Sequence, residues 1–222
     1  MSILNLISGA VGTVLALNGH LISAAYCIFI GAFFDLLDGF VAKILDVQSL
    51  VGKQLDSLAD LITFGMVPAS IMYTLIKTYE TCPYRPYTAL LIVIFSALRL
   101  AKFNVDSRQT DCFIGLPTPA NAIAIATLPM ILEQVKSPRL VDALTHPFVL
   151  PLLTMFFSYL LVANIGFIAF KFNGIGFQAN KIRYFLIVCL TLLIAILKIE
   201  GVFLGVWFYI FCSLFSRHRI DQ

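Results

Sequence analysis

Asp35, Asp38, Asp56 and Asp60 are the residues of this chain best suited to do chemistry. The chain has twelve acidic residues in 222, and these four crowd into one short, largely apolar stretch. A carboxylate inside a membrane costs about 2.5–3.5 kcal/mol on insertion scales, so four together need a compensating partner. Asp35 and Asp38 are spaced i, i+3 and share a face at the end of one helix. Asp56 and Asp60 are spaced i, i+4 and share a face at the start of the next. The connection at about 44–55 is short, which predicts adjacent antiparallel helices and one converging pocket near a membrane surface. Four carboxylates do not stay ionised side by side without cations. Oxygen-only ligands suit Mg²⁺ or Mn²⁺. Two such ions fit four carboxylates and serve phosphoryl chemistry.

Small and basic residues accompany the acids. Gly39 and Ala42 lie beside the first pair, and Gly52 lies one turn before Asp56. Missing side chains let a bulky group approach the backbone. Lys43 and Lys53 place positive charge where a phosphate would sit. The competing reading is a pair of polar helix ends facing the cytoplasm. The helix dipole accounts for Asp56 at a helix start, but it disfavours Asp35 and Asp38 at a helix end.

The elements that must hold these residues follow from composition. Apolar residues make up 60% of the chain and charged residues only 12%, about half the share usual in a soluble domain. This excludes a disordered chain, a coiled coil and an ordinary soluble enzyme, and points to an integral membrane protein. A net charge of +3, from scattered basic residues, makes no nucleic-acid surface. Five widely spaced cysteines without a CxxC pair read as structural. No basic start precedes the uncharged run 1–34, so a cleavable leader is not expected.

Spans of roughly 20 apolar residues predict about eight transmembrane helices in one all-α bundle, a single domain over residues 1–222. Residues 1–34 begin two helices, with Asn18-Gly19-His20 as the turn and the second helix running over about 21–45. The others fall near 56–76, 87–103, 117–132, 147–170, 183–197 and 201–215. The runs are continuous rather than alternating, which argues against strands. With a cytoplasmic N-terminus, nine basic residues fall on the cytoplasmic side and five opposite, the bias expected for that orientation. The carboxylates then face the cytoplasm, and the expected location is the cell inner membrane. A cation or proton transporter would also carry intramembrane acids, but it would favour paired repeats, and none is visible.

The pattern Asp35-x₂-Asp38-Gly39-x₂-Ala42-Lys43-x₈-Gly52-x₃-Asp56-x₃-Asp60 resembles the signature of the CDP-alcohol phosphotransferases. Lys43 stands where that family usually has Arg; it keeps the charge but loses the planar fork. The resemblance implies a membrane-embedded helical pocket that holds a CDP-linked alcohol with two divalent cations, Mg²⁺ or Mn²⁺. By the same resemblance Asp35, Asp38, Asp56 and Asp60 are metal ligands, and Asp60 is also the general base. Gly39, Ala42, Lys43 and Gly52 would line the cytidine diphosphate, with Lys53 beside them. Asn5 and Ser8 resemble an N-terminal element that touches the phosphates, and plain helix capping fits them equally well. A homodimer is a further expectation from the resemblance.

Three more stretches bear on the acceptor. Residues 55–65, the segment Leu98-Arg99-Leu100-Ala101-Lys102-Phe103-Asn104 and the segment Gly115-Leu116-Pro117-Thr118-Pro119-Ala120 resemble the phosphatidylserine synthase branch. The implied substrates are CDP-diacylglycerol and L-serine, in the surrounding bilayer, and the products phosphatidylserine and CMP. Arg99 is a cation inside a span, and its fork suits a serine carboxylate, with Lys102 and Asn104 within reach. A lipid phosphate, Asp106 or Asp111 are alternative partners for Arg99. Glycerol phosphate or inositol phosphate remain alternative acceptors for the same chemistry.

Overall fold

The computed structural model describes residues 1–45, 50–80, 82–105, 112–134, 138–168 and 180–216. Largely apolar runs give α1 (Ser2–Leu17), α2 (Leu21–Leu45) and α4 (Val67–Tyr79), and a more polar stretch gives α3 (Leu50–Leu61). A π turn, Ile62–Met66, joins α3 to α4 in one rod. A 3₁₀ turn at Arg85–Ala89 leads into α5 (Leu90–Val105). α6 (Thr118–Gln134), the short α7 (Pro138–Leu144), α8 (Val149–Val162) and α9 (Lys181–Ser216) complete the helices. Pro119 sits in the first turn of α6, where its missing N–H costs no hydrogen bond. The backbone of α9 leaves the helical region at Lys198 (φ 52°, ψ −120°), so it is two helices joined by a tight break, as the two final apolar runs predict.

Several expectations are corrected. The third rod begins at Leu50 rather than near 56, because its polar first turns continue the apolar run that follows. Asp56 and Asp60 therefore lie inside a helix, so its first-turn dipole accounts for neither. The sixth run ends its helix at Val162, and the chain then forms a strand. That strand, β2 (Gly166–Ile168), pairs antiparallel with β1 (Cys112–Ile114), with Phe113 opposite Phe167. A three-residue ribbon is too short to show the alternation that marks longer strands. Gly115 closes it at φ +83°, and a Cβ there would lie 2.3 Å from the carbonyl oxygen of Leu161. Only glycine suits both demands.

Among the described residues, four helical stretches are long and apolar enough to cross a membrane: Leu21–Val41, Val51–Tyr79, Arg85–Val105 and Arg183–Phe215. Many of their outward side chains are apolar, with Leu36 and Ile196 each about three-quarters exposed (73% and 74%), as lipid contact requires. Inside, one apolar cluster joins α1, α2, the π turn, α4 and α6, around Ile28, Phe64, Ile71 and Ile125. A second joins α6, α8, β2 and α9 around Phe157, Phe167 and Leu186.

α1 packs against both α2 and α3, and α2 also meets the third rod directly, at the π turn and α4. Small residues permit this close packing. A Cβ on Gly9 would lie 2.9 Å from the Thr63 Cα, and one on Gly31 would lie 2.4 Å from Thr63 Cγ2. The Thr63 hydroxyl donates to the Asn5 carbonyl at 2.9 Å, locking the π turn to α1.

Candidate active site

α1 and the two acidic helices bring their polar residues to one end of the bundle. Asp35 from α2 and Asp56 and Asp60 from α3 each offer a carboxylate oxygen, all within 4.8 Å of one another. Asp35 and Asp60 face each other within hydrogen-bond reach. Asp38, one turn beyond Asp35, accepts a hydrogen bond from the Ser2 hydroxyl and remains within electrostatic reach of Asp35 and Asp56. It stands at the edge of the three-carboxylate group rather than within it.

This group suits hard cations. Three carboxylates from two helices converge, and among the described residues the buried Asp56 Oδ1 has no hydrogen-bond partner. A buried carboxylate oxygen without a donor is costly unless a cation meets it. Carboxylate oxygens suit a hard divalent cation and offer nothing soft enough to favour copper.

The other expected residues divide by position. Asn5 is fully buried, and its amide donates to Asp60 Oδ1 at 3.1 Å. It therefore holds the carboxylate in place. The Ser8 hydroxyl donates to the Cys27 carbonyl at 2.8 Å and ties α1 to α2. Gly39 is exposed, and a Cβ there would meet nothing within 4 Å, so the backbone is open to approach. Gly52 and Lys53 lie on the exposed start of α3. The side chains of Ala42 and Lys43 lie outside the described residues, as do Asp106 and Asp111, the alternative partners of Arg99.

α5 supplies the basic side of the site. Arg99 is 8% exposed and interacts electrostatically with Tyr209 and Asp60. Its guanidinium carbon lies 5.9 Å from the centre of the Phe103 ring. Lys102 is exposed. The Asn104 amide donates to the Ser57 hydroxyl at 2.8 Å, pinning the end of α5 beside Asp56. Sequence reasoning missed Ser2 and Ser57. Ser2 precedes Asn5 by three residues and so shares its helix face, a signal present in the spacing. Ser57 gave none, because its partner is 47 positions away.

The family model for CDP-alcohol phosphatidyltransferases matches residues 1–215, nearly the whole chain and all of this site. The chain belongs to that family. Among curated relatives of this phosphatidyltransferase, a Bacillus subtilis protein named CDP-diacylglycerol–serine O-phosphatidyltransferase is 33% identical over 75% of this chain and 86% of its own length. A Mycobacterium bovis protein of the same name is 35% identical over 58% of this chain and 46% of its own. An archaetidylserine synthase of Methanothermobacter thermautotrophicus is 35% identical over 57% and 54%. The chain thus aligns with about half the length of these last two relatives.

Proposed function

We propose that this phosphatidyltransferase moves the phosphatidyl group of CDP-diacylglycerol to the hydroxyl of L-serine, giving phosphatidylserine and CMP. The observation that carries the reading is the meeting of Asp35, Asp56 and Asp60 at one point, with Arg99 of α5 within electrostatic reach of Asp60. The names of the relatives support serine as the acceptor.

Two divalent cations, Mg²⁺ or Mn²⁺, held by Asp35, Asp38, Asp56 and Asp60, would supply charge neutralisation on the diphosphate and on the departing nucleotide. The chain's own residues do the rest. Gly39, Ala42 and Gly52 leave backbone room for the cytidine diphosphate, and Lys43 and Lys53 offer positive charge to it. Arg99 takes the serine carboxylate in its fork, which turns the serine hydroxyl toward Asp60. Asp60 accepts the hydroxyl proton as the serine oxygen bonds to the lipid-side phosphorus. The bond from that phosphorus to the bridging oxygen breaks, and CMP leaves with the electron pair. Asn5 fixes the oxygen of Asp60 throughout, so the base needs no reorientation. Lys102 and Asn104 stand at the acceptor entrance.

The fold would cross the bilayer about eight times, counting α1, α2, the α3–α4 rod, α5, α6, α8 and the two halves of α9. The 16 residues of α1 span about 24 Å, short of a roughly 30 Å core, so the bilayer thins locally or flanking residues reach outward. The site faces the cytoplasm from the cell inner membrane, and the working unit is a homodimer.

The deciding experiment supplies purified protein with CDP-diacylglycerol, labelled serine and each metal in turn. Phosphatidylserine and CMP should appear in equal amounts. Transfer to glycerol phosphate or inositol phosphate, with serine inert, overturns the acceptor assignment.

A further inference from the structure

Behind the carboxylates, three helices carry buried polar atoms that have no hydrogen-bond partner among the described residues. They are Ser96 Oγ and Arg99 Nε on α5, both amide atoms of Asn121 on α6, and Ser158 Oγ on α8. Ser96, Asn121 and Ser158 are fully buried. A single unpaired group inside an apolar bundle is costly, and four on neighbouring helices point to a common polar occupant.

The helix directions bring these residues to the carboxylate end. α5 and α8 start together, where the Arg85 guanidinium lies 4.4 Å from the Phe148 ring centre at the opposite end. They run in parallel, and α5 finishes where Asn104 meets Ser57 beside Asp56. α6 sets out from the end of α8, where the Leu116 amide donates to the Leu160 carbonyl at 2.9 Å. Ser96 abuts the π turn that follows Asp60: a Cβ on Gly65 would lie 3.2 Å from Ser96 Cβ. α6 packs on both α8 and that turn. On α6, Asn121 stands between Ala122 and Ile125 of the first apolar cluster and Ala120 and Ala124 at the second, so it occupies the seam between them.

We propose that Ser96, Asn121 and Ser158 complete, with Arg99, the pocket for the polar body of the acceptor, and that Asn121 discriminates among acceptors. The chemistry of the set selects a small zwitterion. One guanidinium answers one carboxylate. An ammonium needs oxygen acceptors, and the Asn121 carboxamide and two hydroxyls provide them without a further charge. A doubly charged phosphate ester would meet only one cation in this buried set. The assignment rests on the serine-transfer reading above.

The test compares the full-length wild-type chain with Asn121→Ala, Asn121→Ser, Ser96→Ala and Ser158→Ala in nanodiscs. It reads KM for serine and for CDP-diacylglycerol, kcat, and the thermal shift induced by serine. Asn121→Ala should raise the serine KM about tenfold or more, the loss expected when a buried hydrogen-bonding partner of a charged group is removed. The CDP-diacylglycerol KM should stay within about twofold, and the serine-induced shift should shrink in step. Asn121→Ser, which restores a hydroxyl, should recover part of the loss. Unchanged serine KM in all four variants, or equal rises for both substrates, overturns the pocket. If Asn121→Ala does not fold, the two serine variants and Asn121→Ser carry the same comparison. A wild type that transfers to a phosphorylated polyol but not to serine overturns the proposed function instead. The pocket then stands or falls on whether Asn121→Ser raises the KM for that acceptor.

Discussion

The amide of Asn5 and the carboxylate of Asp60 are joined by a 3.1 Å hydrogen bond between two helices 55 positions apart in sequence. The first helix of the chain thereby sets the orientation of the proposed base. Asn5→Ala should lower kcat about tenfold or more, in line with the roughly 1.5–3 kcal/mol carried by a hydrogen bond to a charged group. The KM for CDP-diacylglycerol should hardly move. Steady-state kinetics with both substrates varied checks the split.

Asp60→Asn removes the proton acceptor while keeping size and polarity. Turnover should vanish, and much of the CDP-lipid affinity should remain. Direct binding of labelled CDP-diacylglycerol to the purified variant, beside its activity, measures both. Normal activity would remove Asp60 from the mechanism.

Chelation of divalent cations should abolish transfer, with recovery on adding Mg²⁺ or Mn²⁺. Asp35→Asn should raise the metal concentration for half-maximal activity about tenfold or more, since one of three converging carboxylates is lost. Metal titration of the variant against wild type is the measurement. The same curve for both would place Asp35 outside the metal shell.

Arg99→Lys keeps the charge and loses the two-pronged geometry. The serine KM should rise more than the CDP-diacylglycerol KM. Equal effects would count against carboxylate recognition by this residue.

Gly31→Ala tests the packing of α2 on the π turn and Asn5. The added methyl would press on the Thr63 methyl and come within 2.9 Å of Asn5 Oδ1. Overpacking of this kind costs about 1–3 kcal/mol. The variant should unfold at lower temperature in detergent and lose activity as Asn5 is displaced. Thermal unfolding followed alongside the transfer assay reports both.

The acidic cluster and the helical class were legible in the sequence for distinct reasons. Carboxylates are rare in apolar runs, so Asp35, Asp56 and Asp60 stand out, and their helical spacing fixes which of them share a face. The apolar runs marked the helices, including the break at Lys198. Tertiary relations were not legible in this way. No local pattern announces that α1, α2 and the π turn pack this closely, because the cause is the joint absence of side chains at Gly9 and Gly31, on two different helices. The partners of Asn5 and Ser8, Asp60 and the Cys27 carbonyl, were hidden for the same reason: they are distant in sequence. The buried polar seam on α5, α6 and α8 was invisible, since a lone Ser or Asn in an apolar run reads as incidental until its neighbours are known.

The five-residue π turn just after Asp60 divides one rod into two independently phased halves. A wide turn holds an extra residue, so side chains beyond it are rotated by about 100° from where an unbroken α-helix would put them. The half bearing Asp56 and Asp60 can keep its angular setting while α4 settles its own apolar stripe against the core. Removing one residue from the turn would swing Ile71 and Leu75 out of that core and leave the acids in register. Chemistry and anchorage in this rod are thus free to drift apart, and shortening the turn by one position is the simplest way to separate them at the bench.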